Sequence, residues 1–179
     1  MLIDPGNRPP APGNLRLVQL FVNTLDIENG VEELRTPDAL RAALPLRPRE
    51  PLDDADLAHG LVVREALREL LLANNGGGFS PESRSVLERA AAAAHLTLEL
   101  GRDGSAELVP RAGGVDGAIG RVLAAVYGSM ADGSWARLKA CPREVCHWVF
   151  YDASRNRSGK WCAMSVCGNR TKKARLRTS

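Results

Sequence analysis

Cysteine is absent from this 179-residue chain until position 141, and all four cysteines lie in the last quarter. Thiols distributed so unevenly are not placed as the disulfide framework of a small secreted domain would be. The N-terminus lacks a basic segment followed by an apolar run, so we expect no export and a reducing, cytoplasmic environment. No run of eighteen apolar residues occurs either, and therefore no membrane partner is expected.

Catalytic patterns are also missing. The glycines at 76–78 have neither the lysine nor the strand-to-helix context of a phosphate-binding loop, so we interpret them as a linker. His59 and His95 have no serine, cysteine or carboxylate constellation at a diagnostic spacing, which favours structural roles and predicts no enzymatic activity. Asn23, near the end of an apolar helix, marks either a helix boundary, which we favour, or a pocket rim. Asn23 and His59 are the candidates for a small-molecule pocket.

The cysteines form two short clips, Cys141-x4-Cys146 and Cys162-x4-Cys167, separated by fifteen residues. This spacing is typical of a tetrahedral zinc site in which each clip supplies two thiolates. A segment of about forty residues buries too little apolar surface to fold unaided, so we expect one structural zinc ion. The alternatives are two disulfides, four unrelated buried cysteines, or replacement of one thiolate by His147.

Charge is divided unevenly along the chain. Residues 1–140 carry 15 Lys+Arg against 19 Asp+Glu, a balance of −4, whereas residues 141–179 carry 9 against 2, a balance of +7. Together these give the net charge of +3. Basic charge concentrated on a metal module is typical of a surface that binds phosphates, although a solvated basic tail would show the same composition.

Periodicity predicts an α+β protein with a mainly helical first domain and one β-hairpin. Apolar spacing indicates helices over 15–25, 37–44, 53–73, 81–94 and 116–131, with caps at Asn14, Thr36, Asp53 and Ser80. Alternating residues over 96–100 and 106–109 predict the hairpin. We divide the chain into a flexible arm (1–14), a helical domain (15–134) and a zinc finger with a basic tail (135–179).

Within the finger, the aromatic and β-branched segment 147–151 is predicted to pair with a returning strand over 160–164. The turn-rich residues 152–159 would connect the two strands and bring the clips together. A basic segment, 170–177, follows as a helix or an extended arm. A β-hairpin followed by a helix, closed by four cysteines, gives a treble-clef-like finger.

The finger's motifs are similar to those of a known family. Tyr151-Asp152, Trp161-Cys162 and Cys167-Gly-Asn-Arg170 resemble the CGNR zinc-finger family. The segments 21–26 and 34–40 resemble the ABATE domain that precedes this finger. The resemblance implies a stress-induced transcription regulator that binds DNA. Family members carry two adjacent basic residues before the Trp-Cys pair, whereas this chain has Gly159-Lys160 and so lacks one positive charge there.

We therefore predict a zinc-ordered basic surface that binds DNA, which would place the chain at the nucleoid. Asn156 and Asn169 are candidate base-edge or backbone donors, and Arg170 either contacts DNA or braces the zinc loop. The candidate phosphate-binding side chains are Arg155, Arg157, Lys160, Arg170, Lys172, Lys173, Arg175 and Arg177.

Two other functions are consistent with the sequence. The finger could dock a protein partner through Trp148 or Trp161 as exposed anchors. The helical domain could instead bind a small-molecule effector or carry out chemistry, with the finger targeting it. A homodimer is a further expectation for the helical domain. The sequence does not choose between DNA and RNA.

Overall fold

The structure is a computed structural model that describes residues 8–46 and 51–178, of which 174–178 are described in backbone only. It confirms the predicted α+β class, with a mainly helical first part and a small part that carries the cysteines. The helices described are α1 (Leu15–Val22), α2 (Pro37–Ala43), α3 (Asp54–Ala73), α4 (Pro81–Ala93), α5 (Gly114–Ala131) and α6 (Asn169–Thr178). The strands described are β1 (Leu25–Asp26), β2 (Val31–Glu32), β3 (Leu96–Leu100), β4 (Ala106–Pro110), β5 (Leu138–Ala140) and β6 (Val149–Tyr151).

Polar caps set the starts of three helices as predicted. The Thr36 side chain accepts a hydrogen bond from Ala39 N at the start of α2, and Ser80 accepts one from Ser83 N at the start of α4. Asp53 and Asp56 form a reciprocal capping box on α3. Asn14 precedes α1 without a side-chain cap, which differs from the prediction.

Helices α1, α3 and α5 enclose the main core. Val18, Phe21, Leu67, Ile119 and Val122 are fully buried there. Burial of each such side chain is worth about 1.5–3 kcal/mol, so this apolar interior supplies the main force that assembles the helices. Among the described residues, no helix is both long and apolar enough to span a membrane.

The predicted hairpin is present as the β3–β4 pair. Its strands are antiparallel, and Leu98 lies opposite Leu108. Through Gly120, helix α5 packs against Pro110, the last residue of β4, and against Ala94, which precedes β3. A Cβ atom at Gly120 would lie 2.7 Å from the Cβ atoms of Ala94 and Pro110, so only glycine allows this approach.

The strand pairing predicted for the finger is wrong. β6 pairs with β5, in the register Leu138↔Tyr151 and Ala140↔Val149, whereas residues 160–164 form no strand. The first cysteine clip lies in the connection between β5 and β6. The connections 141–148 and 152–159 are both eight residues long, so loop closure favours neither pairing. β5 is favoured because its Leu138 and Ala140 join Val149 in the buried core.

The finger and the helical domain share one core. Leu138, Ala140 and Val149 of the finger belong to the same buried cluster as the residues of α1, α3 and α5. Two described residues of the predicted arm contact the rest of the chain: Ala11 is buried, and the Arg8 guanidinium donates to the carbonyls of Trp161 and Cys162. Residues 1–7 of that arm lie outside the described residues.

Candidate metal centre and basic surface

The four cysteine thiols converge on one point. Their Sγ atoms all lie within 4.8 Å of one another, and all four residues are buried. The Cys146 and Cys162 sulfurs are 3.7 Å apart, and the Cys162 and Cys167 sulfurs are 3.6 Å apart. A tetrahedron with Zn–S bonds of about 2.3 Å has edges of about 3.8 Å, so the cluster has the size that zinc requires.

These distances decide between the alternatives for the cysteines. A disulfide needs sulfurs about 2.05 Å apart, and the four thiols are unpaired. They are also not unrelated buried residues, because they form one cluster. His147 is not among the cluster's members in the described part of the chain. Its backbone is left-handed, with φ of 46°, and burial followed by the Arg68 charge lowers the pKa of its imidazole.

Crowding of the thiols makes their ionisation unequal. A hydrogen bond from Cys146, joined by one from Cys162, lowers the pKa of Cys141. The contact with Cys141 raises the pKa of both Cys146 and Cys162. Several thiolates therefore cannot coexist here without a cation between them, which is the condition that a divalent metal ion satisfies.

Backbone hydrogen bonds hold each clip in shape. In the first clip, Cys141 N donates to Trp148 O at 3.0 Å, and Cys146 N donates to Arg143 O at 2.9 Å. In the second, a π-helical turn over Met164–Gly168 leads directly into α6. The Thr171 hydroxyl donates to Cys167 O at 2.9 Å and so fixes the start of that helix. This arrangement fits the treble-clef-like finger that was predicted.

Two family models match this chain. The model described as "CGNR zinc finger" matches residues 137–178, and the ABATE model, described as "Putative stress-induced transcription regulator", matches residues 15–133. The chain belongs to the ABATE family and ends in a CGNR zinc finger. The predicted resemblance is thereby confirmed, in the predicted order along the chain. Comparison with curated proteins gives no match.

A buried ion pair organises the loop of the CGNR finger between the two clips. Lys139 Nζ lies 2.9 Å from Asp152 Oδ2, and Asp152 is fully buried. Lys139 also donates to the carbonyls of Arg157 and Gly159, at 2.6 and 3.0 Å. All three ammonium hydrogens are thus used, which offsets the cost of burying the charge.

Asp152 is equally well paired. Besides Lys139, its carboxylate accepts hydrogen bonds from the Ser154 hydroxyl at 2.6 Å and from Gly159 N at 2.7 Å. Burial alone would raise the pKa of Asp152, but the hydrogen bonds from Ser154 and Lys139 outweigh burial and hold it at about 2. A Cβ atom at position 159 would lie 2.7 Å from this carboxylate. The departure from the family pattern at Gly159 therefore matches tight packing against Asp152.

Most of the predicted phosphate-binding residues are at the surface. Arg155, Asn156, Arg157 and Lys160 are exposed on the loop that Lys139 holds. Within the described residues, none of the three basic side chains on this loop makes an ion pair. On α6, the exposed predicted residues are Asn169, Arg170, Lys172 and Lys173, whereas the side chains of Arg175 and Arg177 lie outside the described residues.

Arg170 is the exception among these basic side chains. Its guanidinium pairs with Glu28, which lies between β1 and β2 of the ABATE domain. Arg143, within the first cysteine clip, reaches the same carboxylate oxygen at 2.7 Å. Neither of the two roles predicted for Arg170 included an acidic partner from the helical domain.

Asn23 links the two parts of the chain. Its Nδ2 donates to Val149 O at 2.8 Å, and its Oδ1 accepts from Val149 N at 2.8 Å. Asn23 directly follows the last residue of α1, so it lies at the helix boundary, as we favoured. Its side-chain amide bonds to the backbone of β6. The other pocket candidate, His59, lies on α3 with Nε2 3.4 Å from Asp116 on α5.

Other polar side chains that the sequence did not single out strengthen this junction. The Arg68 guanidinium donates to His147 O and Val22 O, and the Asn75 amide donates to Ala140 O and Lys160 O. A groove of about 320 Å³ opens beside them and is lined by Leu72, Asn75, Gly76, Gly77, Gly78, Pro142, His147 and Lys160. The glycines at 76–78 therefore border the finger.

Proposed function

We propose that this chain is a non-catalytic transcription regulator that binds duplex DNA through its CGNR finger. The observation that carries the proposal is the loop 155–160, which presents three exposed cations from a framework fixed by the thiol cluster and by the Lys139–Asp152 pair. Lys172 and Lys173 add two exposed cations on the helix that begins two residues after Cys167. In such a regulator, the protein would act where DNA is, in the cytoplasm at the nucleoid.

The charge distribution supports DNA as the partner. The finger contributes a balance of +7 from residues 141–179, whereas the rest of the chain is acidic. Long-range attraction would thus orient the finger towards a polyanion and keep the helical domain away from it. Rigid placement matters as well, because cations held by a folded loop lose less conformational entropy on binding than a mobile tail does.

Burial of the aromatic residues weakens the protein-docking alternative. Trp148 and Phe150 lie in the apolar cluster around the cysteines, with Trp161 packed against it. Trp148 is therefore not available as an interface anchor, whereas Trp161 is half-buried and keeps part of its surface exposed. The effector and the homodimer expected for the helical domain stay predictions, and the double hydrogen bond of Asn23 removes one of the two residues on which a pocket was based.

Salt titration tests the proposal. Zinc-loaded protein is mixed with a fluorescent duplex, a single strand and an RNA of equal length, and the dissociation constant is measured across salt concentrations. The five described cations (Arg155, Arg157, Lys160, Lys172 and Lys173) predict a log-log slope of about −4.5 on duplex DNA, and Arg175 and Arg177 would take it to about −6. Absence of binding to all three nucleic acids contradicts the proposal.

A matched pair of triple variants assigns the binding to the finger. Replacement of Arg155, Arg157 and Lys160 by glutamine should make the slope about 2.7 less negative, since each phosphate contact contributes about 0.9. Replacement of three basic residues of the helical domain, Arg84, Arg89 and Arg102, removes the same charge. If the two triple variants weaken binding equally, the finger loop is not the binding surface.

A further inference from the structure

Glu28 unites two cations of the finger that are far apart in sequence. Its Oε1 atom accepts hydrogen bonds from Arg143, in the first cysteine clip, and from Arg170, at the start of α6. The two arginines therefore converge on one carboxylate oxygen. Their convergence defines an anion-binding pair that neither arginine could form alone.

The pair lies against the metal centre. The Arg143 guanidinium is also 4.0 Å from Cys167 Sγ, and Arg170 follows that cysteine by three residues. The position of both guanidinium groups consequently depends on the same clips that hold the thiols.

A carboxylate and a phosphate can be bound by the same pair of arginine side chains. Both anions accept charge-assisted hydrogen bonds from guanidinium groups, and arginine is the preferred donor to each. The pair is partly accessible, because the Arg170 side chain is 55% exposed and that of Arg143 is 24% exposed. A phosphate of a nucleic acid could therefore occupy the position that Glu28 occupies.

We propose that Arg143 and Arg170 form a phosphate-binding site of the finger and that Glu28 of the ABATE domain fills it as an intramolecular competitor. This inference rests on the proposed function, which it deepens by adding Arg143 to the binding surface and by giving the ABATE domain an inhibitory role. DNA must displace Glu28 to engage the two arginines. Neutralising Glu28 removes both the competitor and its repulsion of the incoming phosphates.

The test compares the full-length, zinc-loaded Glu28→Gln variant with the wild type on a fluorescent duplex. We expect the variant to bind about two- to tenfold more tightly at low salt, because two partly exposed ion pairs no longer compete. Its log-log salt slope should be steeper by up to about 1.8, the contribution of two additional phosphate contacts. Glu107→Gln, an equal charge change at an exposed position on β4, controls for net charge.

A double variant tests the assignment of Arg143. Adding Arg143→Gln to Glu28→Gln should abolish the gain in affinity, whereas adding Arg84→Gln on α4 should leave most of it. Zinc content and the circular dichroism spectrum of each variant identify any that have lost the metal centre. For a variant that loses zinc, Arg143→Lys takes the place of Arg143→Gln and should retain only part of the gain.

The outcomes separate the two proposals. Tighter binding by Glu28→Gln alone, relative to a wild type that binds, supports the inference. Equal binding by wild type, Glu28→Gln and Glu107→Gln overturns the inference and leaves the proposed function standing. Failure of every variant to bind overturns both. An equal gain in Glu28→Gln and Glu107→Gln shows a net-charge effect and overturns the inference.

Discussion

Lys139 and Asp152 form an ion pair of 2.9 Å inside the finger, where their side chains are 7% and 0% exposed. Lys139 lies within β5, and Asp152 directly follows the last residue of β6. Because Lys139 also binds the carbonyls of Arg157 and Gly159, this pair connects the small sheet to the basic loop. The conformation of the candidate DNA-binding loop thus depends on the buried Lys139 ammonium, which is not itself exposed on that surface.

Replacing Asp152 by asparagine should therefore be costly. The variant leaves the Lys139 ammonium buried without its counter-charge, and breaking such a pair costs about 3–5 kcal/mol. We expect the free energy of unfolding, measured by urea denaturation, to fall by that amount. Asp103→Asn, on the exposed turn between β3 and β4, should change it little. Equal losses in the two variants would contradict a special role for the buried pair.

The same pair predicts a dependence on pH. Since folding lowers the pKa of Asp152 from 3.8 to about 2, its ionisation stabilises the folded state above about pH 4. That contribution, about 2 kcal/mol, is lost as the pH falls from about 4 towards 2. The difference in unfolding free energy between wild type and Asp152→Asn should therefore shrink across this range. Because the wild type and Asp152→Asn are measured in the same pH series, the effect of acid on the thiolates is common to both and cancels in their difference.

Metal removal should destabilise more than the finger. Because Leu138, Ala140 and Val149 complete the core of the helical domain, we expect a chelator or Cys162→Ser to lower the midpoint of helix unfolding as well. Circular dichroism at a helical wavelength, together with zinc content per chain, measures this effect. Ser165→Ala, in the same clip, should keep one zinc ion and the wild-type midpoint. An unchanged helical midpoint after complete zinc loss would show that the two parts fold independently.

Asn23→Ala tests the junction directly. The substitution leaves the buried N–H of Val149 without its side-chain partner and its C=O with only the longer bond, 3.4 Å, from Gln19 Nε2, at a cost of about 1–3 kcal/mol. Thermal unfolding should show a lower midpoint than the wild type. Asn29→Ala removes an asparagine that is exposed and bonded to Asp26, and it should have a small effect. A small effect from both would mean that water replaces the Asn23 amide at Val149.

Features governed by local rules could be predicted from the sequence. The caps at Thr36, Asp53 and Ser80 depend on residues within three positions of one another. The β3–β4 hairpin follows from the strict alternation of residues 96–100, a short turn and a second apolar segment over 106–109. The clip spacing likewise restricts the cysteines to one site, because each pair is held by a loop of four residues.

Features that depend on tertiary contacts could not be predicted from the sequence. Arg64 and Arg68 on α3 are only 3% and 2% exposed, although arginine in a helix is usually solvated. Their partners, such as Glu32 and the carbonyl of His147, are brought to them only by the fold. The prediction that residues 160–164 pair with β6 failed for the same reason. The packing of β5 in the core, which the sequence pattern does not reveal, decides the pairing. Glu28 carried no sequence signal at all.

The common core has a practical meaning for anyone who isolates the finger. A fragment starting at residue 135 would present the apolar side chains of β5 and β6 to water and leave Val149 without Asn23. It would also lose Glu28, the proposed competitor for Arg143 and Arg170. Residue 134 lies between the segments that the two family models match, but the buried core extends across it.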